Sequence, residues 1–388
     1  MQKIEKLLQK RAAELLAEGT VERVLAWQAG EFFYDNTPAA VDNANECDKL
    51  VYNEFCPANL CKYLIETSHA GKKTAVFLKP CDTYGVNQLL KDNRIKRELV
   101  YAIGTPCSGM LDINKIKAAG AKCIISVSVD GDEVVVNTAY GEKRLAKADV
   151  LLNKCLMCKG AAYKIADEEL AEPLPVPQFT GDKFAKVKEI EAMSPEERFA
   201  FWQSELSKCI RCNACRDICP ACSCEQCIFD KPDTPVAGKA YADEVEEQMY
   251  HIIRAFHVAG RCTGCGECAR VCPQGIHLEL LNMKFMKDIN SFFGQYQAGA
   301  DSETPAPQVS FKQNDPEANS AVVCPQRTRL RCARQAGDRR SRDACLSGGL
   351  PALHRHRSGK AGENRTGNAL ARFRQRTFGN RPAFPAIL

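Results

Sequence analysis

The 388-residue chain has no long apolar run. Nowhere does it approach the roughly 18 apolar residues that cross a bilayer, and its start, "MQKIEKLLQKRAAELLAEG", is charged and amphipathic, without the apolar centre of a secretion signal. A soluble, cytoplasmic protein with no membrane partner is expected. Nucleotide fingerprints are missing too: there is no G-x-G-x-x-G, and "AGKKT" lacks the upstream Gly and adjacent Ser or Thr of a P-loop. Histidine is scarce, at six residues, and His69, His251, His257 and His277 are scattered like satisfied or exposed side chains rather than ligands. No Ser-His-Asp or paired-carboxylate pattern advertises acid/base chemistry. Nor is there a molybdenum or nickel motif.

Cysteine, by contrast, is abundant, at 22 residues. A reducing cytoplasm argues against a disulfide framework, which leaves metal as the first hypothesis. Charge is uneven. From Ala321 onward there are 14 Arg and one Lys against three acids, a net of +12, which leaves the first 320 residues at −7 within a total of +5. An acidic body removes nucleic acid from the expected partners. The Arg-rich end has neither helical nor strand period; it reads as a disordered basic tail or as out-of-frame translation starting near Asn319, which would make Cys324, Cys332 and Cys345 accidental.

Short apolar runs alternate with helical stretches through residues 1–170: strand-like "VERVLAWQA", helical "PANLCKYLIETSH", strand-like "KTAVFLKP", helical "TYGVNQLLKDN", strand-like "RELVYAIG", helical "DINKIKAAG", strand-like "KCIISVSV". That order predicts an α/β domain built on a parallel sheet, with a hairpin about Asp130 and Gly131. Residues 171–194 form a linker, Pro-rich in "AEPLPVPQFTGD", leading to a helix. Residues 195–300 form a mainly helical domain, and 301–388 a tail. Ser194, Pro195 and Glu197 give a strong helix start, and "YADEVEEQMYHIIRAFHVAG" a second long helix.

Seven cysteines crowd the nineteen residues from Cys209 to Cys227. Cys209, Cys212, Cys215 and Cys219 follow C-x2-C-x2-C-x3-C closed by Pro220, and Cys262, Cys265, Cys268 and Cys272 repeat that spacing, closed by Pro273. Three thiols of such a run wrap one cubane while the fourth ligates the other. One [4Fe-4S] cluster is therefore assigned to Cys209, Cys212, Cys215 and Cys272, the second to Cys262, Cys265, Cys268 and Cys219. Zinc, the competing reading, rarely uses this spacing twice over. Cys222, Cys224 and Cys227 lie outside both runs as spare thiols, alternative ligands or a further metal site.

Cys81 in "LKPCD" and Cys107 in "GTPCSG" each follow a predicted strand, at the sheet edge where open α/β folds bind ligands. With Cys155 and Cys158 of "KCLMCKG" they either hold a third [4Fe-4S] cluster or are buried small hydrophobes beside a local pair. Cys47, Cys56, Cys61 and Cys123 read as core or surface residues.

Together "LKPCDTYGVNQLL", "IGTPCSGM" and "KCLMC" resemble the coenzyme F420 hydrogenase/dehydrogenase β subunit family, which includes β subunits of F420-reducing hydrogenase and formate dehydrogenase, over about residues 20–170. The double cysteine motif with its intervening helix resembles the α-helical ferredoxins of heterodisulfide reductase and succinate dehydrogenase. The resemblance implies an FAD-containing relay between a catalytic subunit and a soluble electron carrier, with Lys79, Asp82, Gly104 and Thr105 facing the flavin. The alternative is a heterodisulfide-reductase-like adaptor with clusters but no substrate site.

Overall fold

The computed structural model describes residues 1–231 and 244–309. All of them belong to one compact unit. The Arg-rich tail and the frame-shift reading lie outside the described residues.

Helix α1 (Gln2–Ala17) buries Ile4, Leu8, Ala12 and Leu15, a stripe at helical spacing. Each fully buried leucine contributes about 1.5–3 kcal/mol. Strand β1 (Arg23–Ala29) turns back into β2 (Asn36–Val41), after which α2 (Leu64–His69), β3 (Thr74–Leu78), α3 (Thr83–Lys91), β4 (Val100–Gly104) and α4 (Ile113–Ala118) follow. The sheet order is β2-β1-β3-β4-β8, where β8 is the two-residue strand Glu168–Glu169. β1, β3, β4 and β8 run parallel, whereas β2 is antiparallel to β1. The sheet is thus mixed rather than wholly parallel. Pro38 explains why β2 was illegible: a residue without an N–H fits only an edge strand, and an edge is where β2 lies.

The α/β alternation also stops earlier than expected. β5 (Ile124–Asp130), read as a further strand of the parallel sheet, instead forms a separate antiparallel meander with β6 (Glu133–Thr138) and β7 (Gly141–Ala146). Just over half of its side chains are exposed, Ile125 included; β6 buries Val134 and Val136 in a core with Phe55, Leu111 and Ile116, against which Val127 and Val129 of β5 pack partly buried. The hairpin about Asp130 and Gly131 is present.

Short helices α5 (Lys147–Val150) and α6 (Asn153–Leu156) lead the chain back. There an antiparallel bridge between Leu111 and Leu151, with bonds from Asp112 N to Val150 O and from Leu152 N to Met110 O, brings residues 150–158 beside the loop after β4. Past β8 and the proline stretch come α7 (Ala185–Glu191) and α8 (Pro195–Leu206), whose start is a capping box with Ser194 and Glu197 bonded reciprocally. Then follow α9 (Ala214–Asp217), α10 (Glu244–Val258), α11 (Glu267–Arg270) and α12 (Leu278–Phe293). Residues past 300 do not leave the body at once: Ala306 is buried and Asn87 Nδ2 donates to Gly299 O at 3.1 Å. Among the described residues no helix is long and apolar enough to cross a membrane.

Candidate metal centres

The two cysteine runs fold alike. In the first loop Arg211 and Asn213 take positive φ, 51° and 64°; in the second, Gly264 and Gly266 take 68° and 70° at the same offsets from the first cysteine. Each loop then enters a one-turn helix, α9 or α11, and the fourth cysteine closes on it, Cys219 N to Arg216 O and Cys272 N to Ala269 O, both 3.2 Å. The left-handed residues turn backbone N–H groups toward sulfur, as Arg211 N does to Cys209 Sγ at 3.3 Å. A non-glycine at positive φ costs about 1–2 kcal/mol. Arg211 offsets this cost with a buried pair, its Nε lying 3.0 and 2.9 Å from the Glu247 carboxylate oxygens.

The loops frame two hollows. Cys209, Cys212, Cys215 and Cys272 line the smaller, with Tyr250 and His251 of α10. Cys219, Cys262, Cys265 and Cys268 line a larger cavity of about 620 Å³, whose edge Cys272 also reaches. The thiols of the two runs are electrostatic neighbours: Cys272 and Cys219 both act on Cys215, and Cys219 also acts on Cys262, Cys265 and Cys268. Burial pushes these thiols up, Cys262 to about 11 and Cys209 and Cys265 to about 12. Cys219 departs from this pattern, because a bond from the Cys222 thiol favours it as thiolate. Arg254 reaches toward both groups, donating to Cys215 O at 2.9 Å, and is held charged, against the cost of burial, by Cys219, Cys268 and Cys215.

This donor set fits iron-sulfur cubanes better than zinc. Among the described residues the trio of Cys, His or acidic side chains with ligand atoms all within 4.8 Å of one another is Cys209, Glu247 and His251. Tetrahedral zinc, with Zn–S near 2.3 Å, would draw four sulfurs to about 3.8 Å apart. Neither cysteine quartet is drawn in that far.

The α/β half contributes a third thiol group. Cys81 and Cys107 follow the adjacent parallel strands β3 and β4, and the bridge at Leu111 delivers Cys155, so that Gly109 N and Met110 N donate to Cys107 and Cys155 sulfurs at 3.4 and 3.3 Å. Cys107 acts on Cys81, Cys155 on Cys107, and Cys158 on Cys155, linking all four. Lys79 and Asp82 are buried beside them as an ion pair of 2.8 Å, with Lys79 also donating to Ala58 O and lying 4.3 Å from the Trp27 ring centre. Thr105 is buried, and a side chain at Gly104 would meet the Tyr163 ring at 2.9 Å. None of Lys79, Asp82, Gly104 and Thr105 lines the 620 Å³ cavity.

That cavity's walls come from both halves. Tyr34, Phe55, Phe179, Lys154, Lys159 and Lys183 face the second cysteine quartet across it. Lys159 is partly buried, bonds to Thr263 O, and feels Cys265, Cys81 and Cys262, so it stands between this quartet and the α/β thiols. Lys154, its side chain largely covered, bonds to Glu267 and donates to Pro57 O at 2.6 Å. Burial opposes the Glu267 carboxylate, yet Lys154 and Arg270 hold it well below the usual range. Asn59 N at 3.2 Å and Arg270 at 2.7 Å complete its contacts. This network was not predicted; its one local signal is an acid inside a cysteine motif. His251, read as ordinary, is buried with neither ring nitrogen bonded. Cys47, Cys56 and Cys61 are buried and Cys123 is exposed, as read.

Comparison with known proteins agrees with this geometry. Residues 205–276 match the 4Fe-4S dicluster domain family. The chain is 26% identical over 349 residues to the F420-dependent formate dehydrogenase subunit β of Methanocaldococcus jannaschii, covering 75% of this chain and 90% of that one. A second relative is the F420-dependent formate dehydrogenase 1 subunit β of Methanococcus maripaludis, 26% identical over 354 residues, 75% of this chain and 89% of that one. A solved F420-reducing [NiFe] hydrogenase complex from Methanosarcina barkeri overlaps it with a TM-score of 0.36 at 14% identity, covering 54% of this chain and 90% of that chain, too loosely to bear on the fold.

Proposed function

We propose that the chain is the iron-sulfur, flavin-linked electron-transfer subunit of a formate dehydrogenase- or hydrogenase-type oxidoreductase, relaying electrons between a catalytic partner and a soluble carrier. The observation that supports this reading is that Cys272 lines the hollow of the first cysteine loop while Cys219 lines the cavity of the second. Cys209, Cys212, Cys215 and Cys272 would hold one [4Fe-4S] cluster and Cys262, Cys265, Cys268 and Cys219 the other. Cubanes so held would supply one-electron transfer. Around them the chain's own groups do the rest: backbone N–H groups stabilise thiolate charge, and Arg254 balances both quartets from one side.

Cys81, Cys107, Cys155 and Cys158, backed by Lys79 and Asp82, are proposed to hold a third cluster. The cavity in front of the second quartet is the proposed FAD site. Its aromatic walls suit a flat ring system, and Lys154, Lys159 and Lys183 suit an anionic diphosphate. Bound there, FAD would supply the exchange between electron pairs and single electrons. Gly104 and Thr105 then belong to the wall behind Cys107 rather than to the flavin contact.

Anaerobic iron, sulfide and flavin analysis of the full chain tests this. About eight irons with equal sulfide mean two cubanes, and about twelve add the third. Zinc in place of sulfide overturns the assignment, and clusters without any flavin return the chain to the adaptor reading.

A further inference from the structure

His251 sits on the inner face of α10, four residues after Glu247 and three before Arg254, so one helix face presents all three to the cysteine loops. The imidazole is 1% exposed and neither of its nitrogens has a partner. An orphaned buried polar group costs about 1–3 kcal/mol, so its place requires an explanation. The ring lines the hollow framed by Cys209, Cys212, Cys215 and Cys272, with a ring nitrogen within 4.8 Å of Cys209 Sγ and a Glu247 oxygen. Tyr250 stacks edge-on at 4.9 Å and fixes its plane.

A mononuclear metal at Cys209, Glu247 and His251 does not fit, because both Glu247 oxygens already accept from Arg211. Nor does the imidazole hydrogen-bond to Glu247 as placed. What remains in front of the ring is the thiol quartet. In every protonation state an imidazole carries at least one N–H.

We propose that His251 is a tuning residue for the cluster held by Cys209, Cys212, Cys215 and Cys272: its N–H donates to a sulfur of that cluster and raises the reduction potential of that cluster. The physical basis is that a donor to sulfur stabilises the more negative, reduced state. The second quartet has a different donor, Asn282, whose Nδ2 lies 3.6 Å from Cys268 Sγ. The chain therefore gives each cluster its own side-chain donor, and the two can be set independently. The inference rests on the cluster assignment above.

The test is an anaerobic redox titration of the full chain followed by EPR, on the wild type, His251→Leu and His251→Asn. Iron and sulfide are measured on the same samples. With two clusters retained, His251→Leu should move one midpoint to lower potential and leave the other in place. His251→Asn, which keeps an N–H, should recover most of the shift. Pulsed EPR of protein carrying 15N-histidine should show a weak nitrogen coupling to the reduced first cluster that His251→Leu abolishes. Unchanged midpoints in His251→Leu, an equal shift of both, or iron loss in both variants would overturn the inference, the last by making His251 a holder of the site rather than a tuner. A wild type without two cubanes sinks the cluster assignment itself, a separate result.

Discussion

The two cysteine loops share spacing, backbone and closing turn, yet they turn different residues into the left-handed positions, and the reason lies in what each faces. The first loop faces its own helix α10. Arg211 and Asn213 have room for side chains there, and use them: Arg211 pairs with Glu247, and Tyr250 Oη donates to Asn213 Oδ1 at 3.1 Å. The second faces the α/β half. A Cβ on Gly266 would come within 2.7 Å of Lys154 Cβ, whereas one on Gly264 would first meet the flexible end of Met286 on α12, at 3.3 Å. Glycine is therefore required at Gly266 twice over, for φ and for close approach to the α/β half, whereas the first loop exchanges backbone ease for side-chain contacts.

The strongest way to break this comparison is through the fourth cysteines. Cys219→Ser should remove the cluster of the Cys262 loop, and Cys272→Ser that of the Cys209 loop, each lowering iron by about four per chain. If EPR shows each serine silencing the cluster of its own loop, the exchange is wrong. Next in size is Glu267→Gln, which leaves Lys154 and Arg270 buried without their carboxylate. Breaking such a pair costs about 3–5 kcal/mol, read as a lower anaerobic urea midpoint; a change under about 1 kcal/mol would deny the network its docking role.

The smallest effects sharpen the contrast between loops. Gly266→Asn should destabilise by about 1–3 kcal/mol through overpacking against Lys154. Asn213→Gly, the reverse exchange, should change stability by less than about 1 kcal/mol, because relief of the positive φ offsets the lost Tyr250 bond. Equal costs for the two would mean that the α/β half does not constrain the second loop.

Much of the site was legible because cluster ligation is a local pattern. Cys209 to Cys219 and Cys262 to Cys272 carry their chemistry in fixed short spacings, and Ser194 with Glu197 marks a helix start within four residues. β3 and β4 were readable as continuous apolar runs. What escaped depends on distance in sequence. Lys154 and Glu267 lie 113 residues apart, and neither charge announces a partner. His251 looks like any helical histidine until the cysteine hollow is set before it. β5 looked like one more buried strand because "IISV" is apolar, but pairing with β6 sends it into a sheet whose outer side is exposed.

Glu267 stands between Cys265 and Cys268, so the residue that joins the halves is embedded in a loop that would grip iron. The ferredoxin segment is then no interchangeable cartridge. Cut free, it would carry a carboxylate shaped for a lysine left on the other piece, and the remaining α/β portion would keep that lysine stranded in its interior. Any successful transplant of this segment into a new host must bring along a counterpart of Lys154.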